Sequence, residues 1–185
     1  MLFTGTKRRP SHLGPYPLER LRRDPSMRMH EEARGPAKIP LPTPSSETNS
    51  LGAAARKYTD LYMAFRDGEI AAQRAPVPDD LERRAADIKG FAYFLDAAHV
   101  GITEMSETAW TADAPGLAHS HAIAVLVEHG RLPETNNPAR AWCEDAGSLP
   151  GNLRAAEIGA GLASYLRLLG WSARAHVLSA TEIDL

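Results

Sequence analysis

The stretch that decides the fold is Ile88–Ile102, IKGFAYFLDAAHVGI, in which a helical pattern changes into a strand pattern. Up to Leu95 the apolar residues recur every three or four positions, as they do on one face of a helix. Val100 and Ile102 then alternate about Gly101, as in a strand. The segment predicts a helix that ends at a turn and leads directly into a short strand, with aromatic residues packing the joint.

Outward from this joint, helical and extended patterns continue to the end of the chain. The predicted helices are Leu51–Arg66, capped by Ser50 and stopped by Asp67-Gly68, a second that opens at Pro78 and ends near Leu95, and a third from Asn152 to Leu169. The predicted strands are His99–Glu104, Ala122–Val127 and Trp171–Leu178, and Thr181, Glu182 and Asp184 resemble the opening of a further helix. This order predicts a layered α/β or α+β domain over residues 51–185.

Each predicted helix has an apolar stripe that we expect to be buried. The stripes are Ala54, Tyr58, Leu61 and Phe65; Leu81, Ala85, Ile88, Ala92 and Leu95, flanked by Phe91 and Phe94; and Leu153, Ile158, Leu162, Tyr165, Leu166 and Leu169. At the end of the third helix, Gly170 is expected in a left-handed conformation, with Tyr165, Leu169 and Trp171 buried together. The continuous apolar run Ala122–Val127 is typical of a strand covered on both faces.

Residues 1–50 differ in composition from the rest of the chain. They hold eight of the 14 prolines, including Pro36, Pro40, Pro42 and Pro44, and nine basic against five acidic residues. Proline lacks a backbone donor, so we predict an extended Pro/Arg-rich arm that packs on the body or on a further domain. The remaining residues hold twelve basic and eighteen acidic side chains, and the net charge of −2 gives no reason to expect nucleic acid as a partner.

The chain carries no sign of export or of a membrane span. No segment approaches the ~20 apolar residues that a spanning helix needs. Lys7-Arg8-Arg9 is followed by Pro10 rather than by an apolar stretch, so it does not match an export signal. The single cysteine, Cys143, excludes an internal disulfide. These features favour the cytoplasm.

Several polar motifs are weak candidates for chemistry, and we assign none of them as catalytic or metal-binding. Two carboxylates follow Cys143 and disfavour a reactive thiolate. His119 and His121 would share one face of a strand, but His129 is no obvious third zinc ligand. Asp96-Ala97-Ala98-His99 does not have the spacing of a corrinoid-ligating motif, Pro150-Gly151-Asn152 is an ordinary helix start, and Gly159-Ala160-Gly161 is explained by packing. The cofactor-binding residues stay unknown.

Two segments resemble one family, the corrinoid-dependent reductive dehalogenases. Ile88–Ile102 resembles the family's helix that runs through Gly-Ala into a Val-Gly-Ile strand, and Ala163–Ala173, ASYLRLLGWSA, resembles its helix ending in Tyr-Ile-Arg-x-Leu-Gly-Tyr-x-Ala. The resemblance spans roughly residues 84–178. Asp96 stands where the family has glycine. Ala175-His176-Val177 replaces the Asn-Asp pair of membrane-associated relatives, which favours the soluble, catabolic branch.

The resemblance implies a nitroreductase-like, corrinoid-protein-related core followed by a ferredoxin-like domain with two iron–sulfur clusters. The chain would be the N-terminal, non-catalytic scaffold of a truncated enzyme that removes halide reductively from an organohalide. Its partners would be the remaining corrinoid and ferredoxin-like domains. The chain alone would be inactive and bind neither cobalamin nor a cluster, since cluster ligation needs several thiolates. The alternatives are a free-standing corrinoid- or flavin-binding module, part of an epoxyqueuosine reductase-like enzyme, and an interaction domain without a ligand.

Overall fold

The computed structural model describes Ser26, Met29, Ala33 and residues 50–105, 109–111, 119–144, 146–177 and 181–183. From Ser50 onward these residues form helices α1 (Leu51–Met63), α2 (Leu81–Phe94), α3 (Arg140–Cys143) and α4 (Leu149–Leu168), and strands β1 (His99–Glu104) and β2 (His121–Leu126). Most of the predicted arm lies outside the described residues. Ser26, Met29 and Ala33 have helical rather than extended backbone.

Side-chain caps define the starts of the first two helices. The Oγ of Ser50 accepts a hydrogen bond of 3.0 Å from the backbone N–H of Ala53, as predicted. Helix α2 begins later than predicted, because the carboxylate of Asp80 accepts the N–H of Glu82 at 2.9 Å and so makes Asp80 the N-cap. Pro78 therefore lies before the helix rather than in its first turn.

Helix α4 is the centre of the domain and is buried on two sides. On one side, Ala156, Ala160 and Ala163 form a cluster with Met63 of α1 and with Ala175 and Val177 after α4. On the other side, Ile158 and Leu162 pack with Ala92 of α2, with Ala97 and with Val100 of β1. The domain thus has two apolar clusters separated by one helix.

The face by which α1 contacts the body differs from the predicted one. Gly52, Ala55, Thr59 and Met63 are buried, whereas Ala54, Tyr58, Leu61 and Phe65 are exposed. The face of α4 that packs against α1 consists of alanines. Small residues on the facing side of α1 therefore let the two backbones approach closely. The larger apolar residues face outward. We call Leu51, Ala54, Tyr58, Leu61 and Phe65 the outer stripe of α1.

The sheet described here has two antiparallel strands, which makes the domain a mixture of helices and a small antiparallel sheet. Val100 pairs with Val125 and Ile102 with Ile123, and this face packs on the second cluster. The opposite face carries Ala124 and Leu126, of which Leu126 is 55% exposed. The prediction that Ala122–Val127 is covered on both faces was therefore wrong, because the described residues supply one covering layer.

Two helices end in the same hydrogen-bonded cap. After α4, the N–H of Trp171 donates to the carbonyl of Leu166 and that of Gly170 to Arg167, both at 3.0 Å, with Gly170 at φ 85°. After α2, the N–H groups of Ala97 and Asp96 donate in the same way to Ala92 and Tyr93, at 3.0 and 3.1 Å. The left-handed residue there is Asp96, at φ 68°, which occupies the position of the expected glycine.

Several predicted details of the helices were wrong. Helix α1 ends at Met63 instead of Arg66, and Gly68 is not the left-handed cap, since Ala64 ends the helix in a right-handed conformation. Helix α4 begins at Leu149, so Pro150 and Gly151 belong to its first turn. Leu81 and Phe94 are 72% and 84% exposed. Tyr165, Leu169 and Trp171 are not buried together, since Tyr165 is 39% exposed and the other two are half-buried.

The last predicted elements also differ. Residues 171–176 do not form a strand. Ile183 forms an isolated β-bridge with Trp110 instead of continuing a helix. Leu178 and Asp184 lie outside the described residues. Across the ranges described above, every helix is too short or too polar to span a lipid bilayer.

Candidate functional site

A buried arginine lies where α1, α4 and the segment after α4 meet. Arg167 is 5% exposed, and its guanidinium donates to the carbonyl oxygens of Arg66 at 3.1 Å, Phe65 at 3.1 Å and Ala173 at 2.9 Å. Two of these carbonyls follow the C-terminus of α1, where the helix dipole favours a cation. A Cβ on Gly68 would lie 3.1 Å from Nε, so glycine makes room for the guanidinium.

Next to Arg167 lies a cluster of five charged or titratable side chains. One oxygen of Glu182 accepts from Arg174 at 2.8 Å and from Arg66 at 3.1 Å. The carboxylate of Asp67 lies 3.3 Å from both guanidinium groups. Arg174 and Glu182 are only 13% and 16% exposed. This ionic cluster therefore joins the turn after α1 to both segments that follow α4.

His176 completes the ionic cluster. Its Nδ1 lies 3.1 Å from the second carboxylate oxygen of Glu182, in a geometry that does not satisfy that oxygen with a hydrogen bond. Burial lowers the pKa of His176 below its ordinary value of 6.5, and the Glu182 carboxylate opposes this shift while Arg66 and His119 add to it. With 10% of its side chain exposed, the imidazole has little access to a substrate.

A Ser-His contact lies at the edge of this region. The Nε2 of His119 is 2.9 Å from the Oγ of Ser172, a distance that would suit a nucleophile and its base. Such a base is normally oriented by a third group, and no described residue forms a hydrogen bond with the other ring nitrogen of His119. The pair is therefore a surface hydrogen bond in the geometry seen here.

The other polar motifs considered in the sequence do not come together in one site. The Nδ1 of His121 is 2.9 Å from Ser120 Oγ, so His119 and His121 do not converge on one point. Cys143 is half-buried in α3. His99 lies in β1, with a buried Nδ1 that lacks a hydrogen-bond partner. Within the described ranges, no group of three or more histidine, cysteine, aspartate or glutamate side chains is placed to hold a metal ion.

A shallow cleft of about 340 Å³ lies at the start of α4. Its lining residues are Glu128, Gly130, Pro150, Gly151, Leu153, Arg154 and Glu157. A Cβ on Gly151 would lie 2.5 Å from Nδ1 of the exposed His129 side chain, so a larger residue there would require the imidazole to move. The volume is at the lower end for sites that hold a drug-sized ligand, and Glu128, Arg154 and Glu157 place charged side chains in the lining. The cleft therefore does not fit a corrinoid, and the one cysteine of the chain cannot hold an iron–sulfur cluster.

The residues that organise this region were missed in the sequence. Arg167 lies four positions after Ala163, on a face of α4 that is otherwise apolar, and a charge at such a position was a usable signal. Arg66, Arg174 and Glu182 gave no comparable signal, since they are far apart in the chain. In the described residues, the arrangement connects the turn after α1 to the segments that follow α4.

Comparison with solved structures gives clear relatives. The chain superimposes on the catabolic reductive dehalogenase NpRdhA with a TM-score of 0.72 and 32% sequence identity, over 97% of this chain and 25% of that one. NpRdhA in complex with 3-bromo-4-hydroxybenzoic acid gives a TM-score of 0.71 at the same identity. A reductive dehalogenase structure described as suggesting a mechanism for B12-dependent dehalogenation gives 0.70.

The chain spans about a quarter of the length of these relatives. A scan against family models and a search of curated proteins gave no match. The match extends well beyond residues 84–178, where the sequence resemblance was found.

Proposed function

Because this chain is a relative of the reductive dehalogenases, we propose that it is a non-catalytic scaffold domain at the N-terminus of a B12-dependent enzyme of that kind. The observation that carries the proposal is the match of nearly the whole chain to one quarter of a dehalogenase at 32% identity. The remaining three quarters would supply the corrinoid site, two iron–sulfur clusters and the nitroreductase-like core.

The side chains of the described residues support a scaffold role. The buried polar groups, Arg167 and the ionic cluster, bind parts of the chain to each other. The cleft at the start of α4 is small, and neither it nor Cys143 suits the cofactors. The uncovered face of the sheet, with Leu126 at 55% exposure, is a surface on which a further layer of the parent enzyme would pack.

The proposal assigns the chemistry to the parent enzyme. We expect a cytoplasmic oxidoreductase that replaces a carbon–halogen bond with a carbon–hydrogen bond, using two electrons and a proton and releasing halide. A brominated hydroxybenzoate is the first substrate class to assay, because a solved structure shows NpRdhA in complex with 3-bromo-4-hydroxybenzoic acid.

The test compares the 185-residue chain with the product of the complete reading frame that contains it. Both are expressed with cobalamin, iron and sulfide, and corrinoid, iron and bromide release are measured per polypeptide. We expect cofactors and bromide release in the longer product and neither in the short chain. Stoichiometric corrinoid or flavin on the short chain would support a free-standing binding module instead. Cofactors with epoxyqueuosine reduction and no bromide release would support the epoxyqueuosine reductase-like alternative.

A further inference from the structure

We propose that His176 and Glu182 form a pH-sensitive latch, which holds the segment 181–183 on the domain at neutral pH and releases it when His176 is protonated. The two halves of the latch are anchored differently. Ala175 and Val177, on either side of His176, are buried at 4% and 6% exposure in the first apolar cluster. The imidazole therefore belongs to the fixed part of the domain, and Glu182 belongs to the part that is released.

The segment 181–183 is attached through polar contacts. The carbonyl of Glu182 accepts a hydrogen bond of 2.9 Å from the N–H of Thr111, and Ile183 forms its β-bridge with Trp110. The carboxylate of Glu182 is bound by the two guanidinium groups of the ionic cluster. Within the described part of the chain, Ile183 takes part in neither apolar cluster. The attachment therefore depends on charges and hydrogen bonds around Glu182, which a change of protonation can alter.

The hydrogen bond between the two halves of the latch requires an unprotonated Nδ1 on His176. This nitrogen accepts the backbone N–H of Glu182 at 3.5 Å, so it carries a lone pair rather than a hydrogen. A proton added at Nδ1 removes that acceptor. The imidazolium would also attract the second carboxylate oxygen of Glu182, which lies 3.1 Å away and has no hydrogen-bond partner among the described residues. The surrounding charges decide which of these two effects is larger.

The charges around His176 cancel while its imidazole is neutral. The ionisable groups that face it are Arg66 and Asp67 after α1, Arg174 on its own segment, Glu182, and His119 before β2. Two carboxylates balance two guanidinium groups, so a proton on His176 leaves one uncompensated positive charge in a largely buried cluster. Burial has the largest effect and lowers the pKa of His176, and Arg66 and His119 lower it further against the two opposing carboxylates. The imidazolium is better hydrated once the segment has left.

The direction of the response follows from this pKa. With the segment attached, the pKa of His176 lies below 6.5, and with the segment released it returns towards that value. The released state therefore binds the proton more tightly than the attached state. Acidification below pH 6.5 shifts the equilibrium towards release, and the attached state is fully stabilised above this range.

Amide hydrogen exchange, followed by NMR on the intact 185-residue chain, tests the proposal. The reporter is the N–H of Thr111, which donates to Glu182, and the control is the N–H of Ala98, which donates to Leu126 at 2.8 Å in the sheet. The intrinsic exchange rate divided by the observed rate gives the protection of each amide. We expect the protection at Thr111 to decrease by about three-fold or more between pH 7.5 and 5.0.

Dilute urea distinguishes local release from unfolding of the domain. Release exposes little surface, so the protection at Thr111 should be lower than that at Ala98 and insensitive to urea, whereas the protection at Ala98 should decrease with urea. Equal protection and equal urea dependence at both amides would overturn the proposal, because the segment would then leave only when the domain unfolds. Neither cofactor nor substrate takes part, so the outcome is independent of the proposed function.

Two variants assign the response to one imidazole. In His176→Gln the side-chain oxygen can still accept the N–H of Glu182 but does not titrate, so the decrease at Thr111 should disappear. In the matched control His119→Gln the decrease should remain. A decrease that persists in His176→Gln, or that only His119→Gln abolishes, would overturn the proposal. The parent chain gives a check without a variant: the decrease should level off at the pH at which NMR shows His176 to titrate, and a decrease that continues well below it would assign the response to a carboxylate instead.

Discussion

The ends of α2 and α4 have the same local geometry but different surroundings. Both have a left-handed residue after the helix and the same pair of cap hydrogen bonds. After Asp96 the chain enters β1, which pairs with β2 over six residue pairs. After Gly170 the chain has no strand assignment and is anchored instead by Arg167 and by a hydrogen bond from Ala175 to the carbonyl of Arg66. The cap thus determines how a helix ends, whereas a pairing partner determines whether a strand follows.

The largest expected effect comes from removing the buried guanidinium of Arg167 near the end of α4. Arg167→Met keeps much of the side-chain length but leaves three carbonyl oxygens without this donor. The carbonyl of Arg66 keeps the N–H of Ala175 as a donor, so two carbonyl oxygens, those of Phe65 and Ala173, are left unpaired. At about 1–3 kcal/mol for each, we expect a loss of about 2–6 kcal/mol in the free energy of unfolding. Urea denaturation of the two proteins measures it.

The matched control is Arg154→Met, which affects the region at the end of α2. The Arg154 side chain is 49% exposed and pairs with Asp96 at 3.1 Å. An exposed pair of this kind contributes at most ~1 kcal/mol. Equal losses in the Arg167 and Arg154 variants would show that carbonyl coordination does not hold the segment after α4 in place.

The next effect concerns the left-handed residue of the second cap. Gly170→Val should cost about 2 kcal/mol or more, because a β-branched residue is strained at positive φ. A Cβ at this position would also lie 2.8 Å from Cα of Arg74 and 2.9 Å from the carbonyl of Gln73. Gly90→Val in α2, where a Cβ meets nothing within 4 Å, controls for the β-branched side chain itself. Thermal unfolding of both variants measures the loss of stability. An equal loss in Gly170→Val and Gly90→Val would contradict this account of Gly170.

A dependence of stability on pH should distinguish the ionic cluster near the end of α4 from the cap at the end of α2. The folded state lowers the pKa of His176 below 6.5 because burial disfavours the charged imidazole. Below pH 6.5 the unfolded chain therefore binds more protons at this group than the folded chain, and stability decreases as the pH falls towards the folded-state pKa. We expect His176→Gln to weaken this decrease between pH 7.5 and 5.5. The free energies of unfolding of both proteins at several pH values provide the measurement. An equal dependence of this free energy on pH in both proteins would count against a contribution from His176.

The smallest effect is expected at Asp96. Replacement by glycine relieves the unfavourable positive φ, a gain of about 1 kcal/mol, but removes the exposed pair with Arg154, a loss of at most ~1 kcal/mol. The net change should be within ~0.5 kcal/mol. In an Arg154→Met background the pair is already absent, so Asp96→Gly should there be clearly stabilising. A double-mutant cycle by urea denaturation checks this, and a stabilisation that is equal in both backgrounds would show that the pair contributes nothing.

The sequence alone determined the features that depend on neighbours within a few residues. Ser50 as the cap of α1, the bounds of β1 and the left-handed Gly170 are of this kind, since each depends on hydrogen bonds or steric limits close in the chain. The joint between α2 and β1 and the relationship to the reductive dehalogenases were also predicted from short stretches.

The tertiary structure decided which surfaces are covered. Helix α1 has two apolar faces, and the small-residue face is the buried one because the opposing face of α4 consists of Ala156, Ala160 and Ala163. Arg167 finds its carbonyl partners about a hundred positions earlier in the chain, at Phe65 and Arg66. Residues 171–176 were predicted to form part of a strand and do not. Which faces meet and which groups pair across such separations depend on the packed arrangement, which local sequence patterns do not specify.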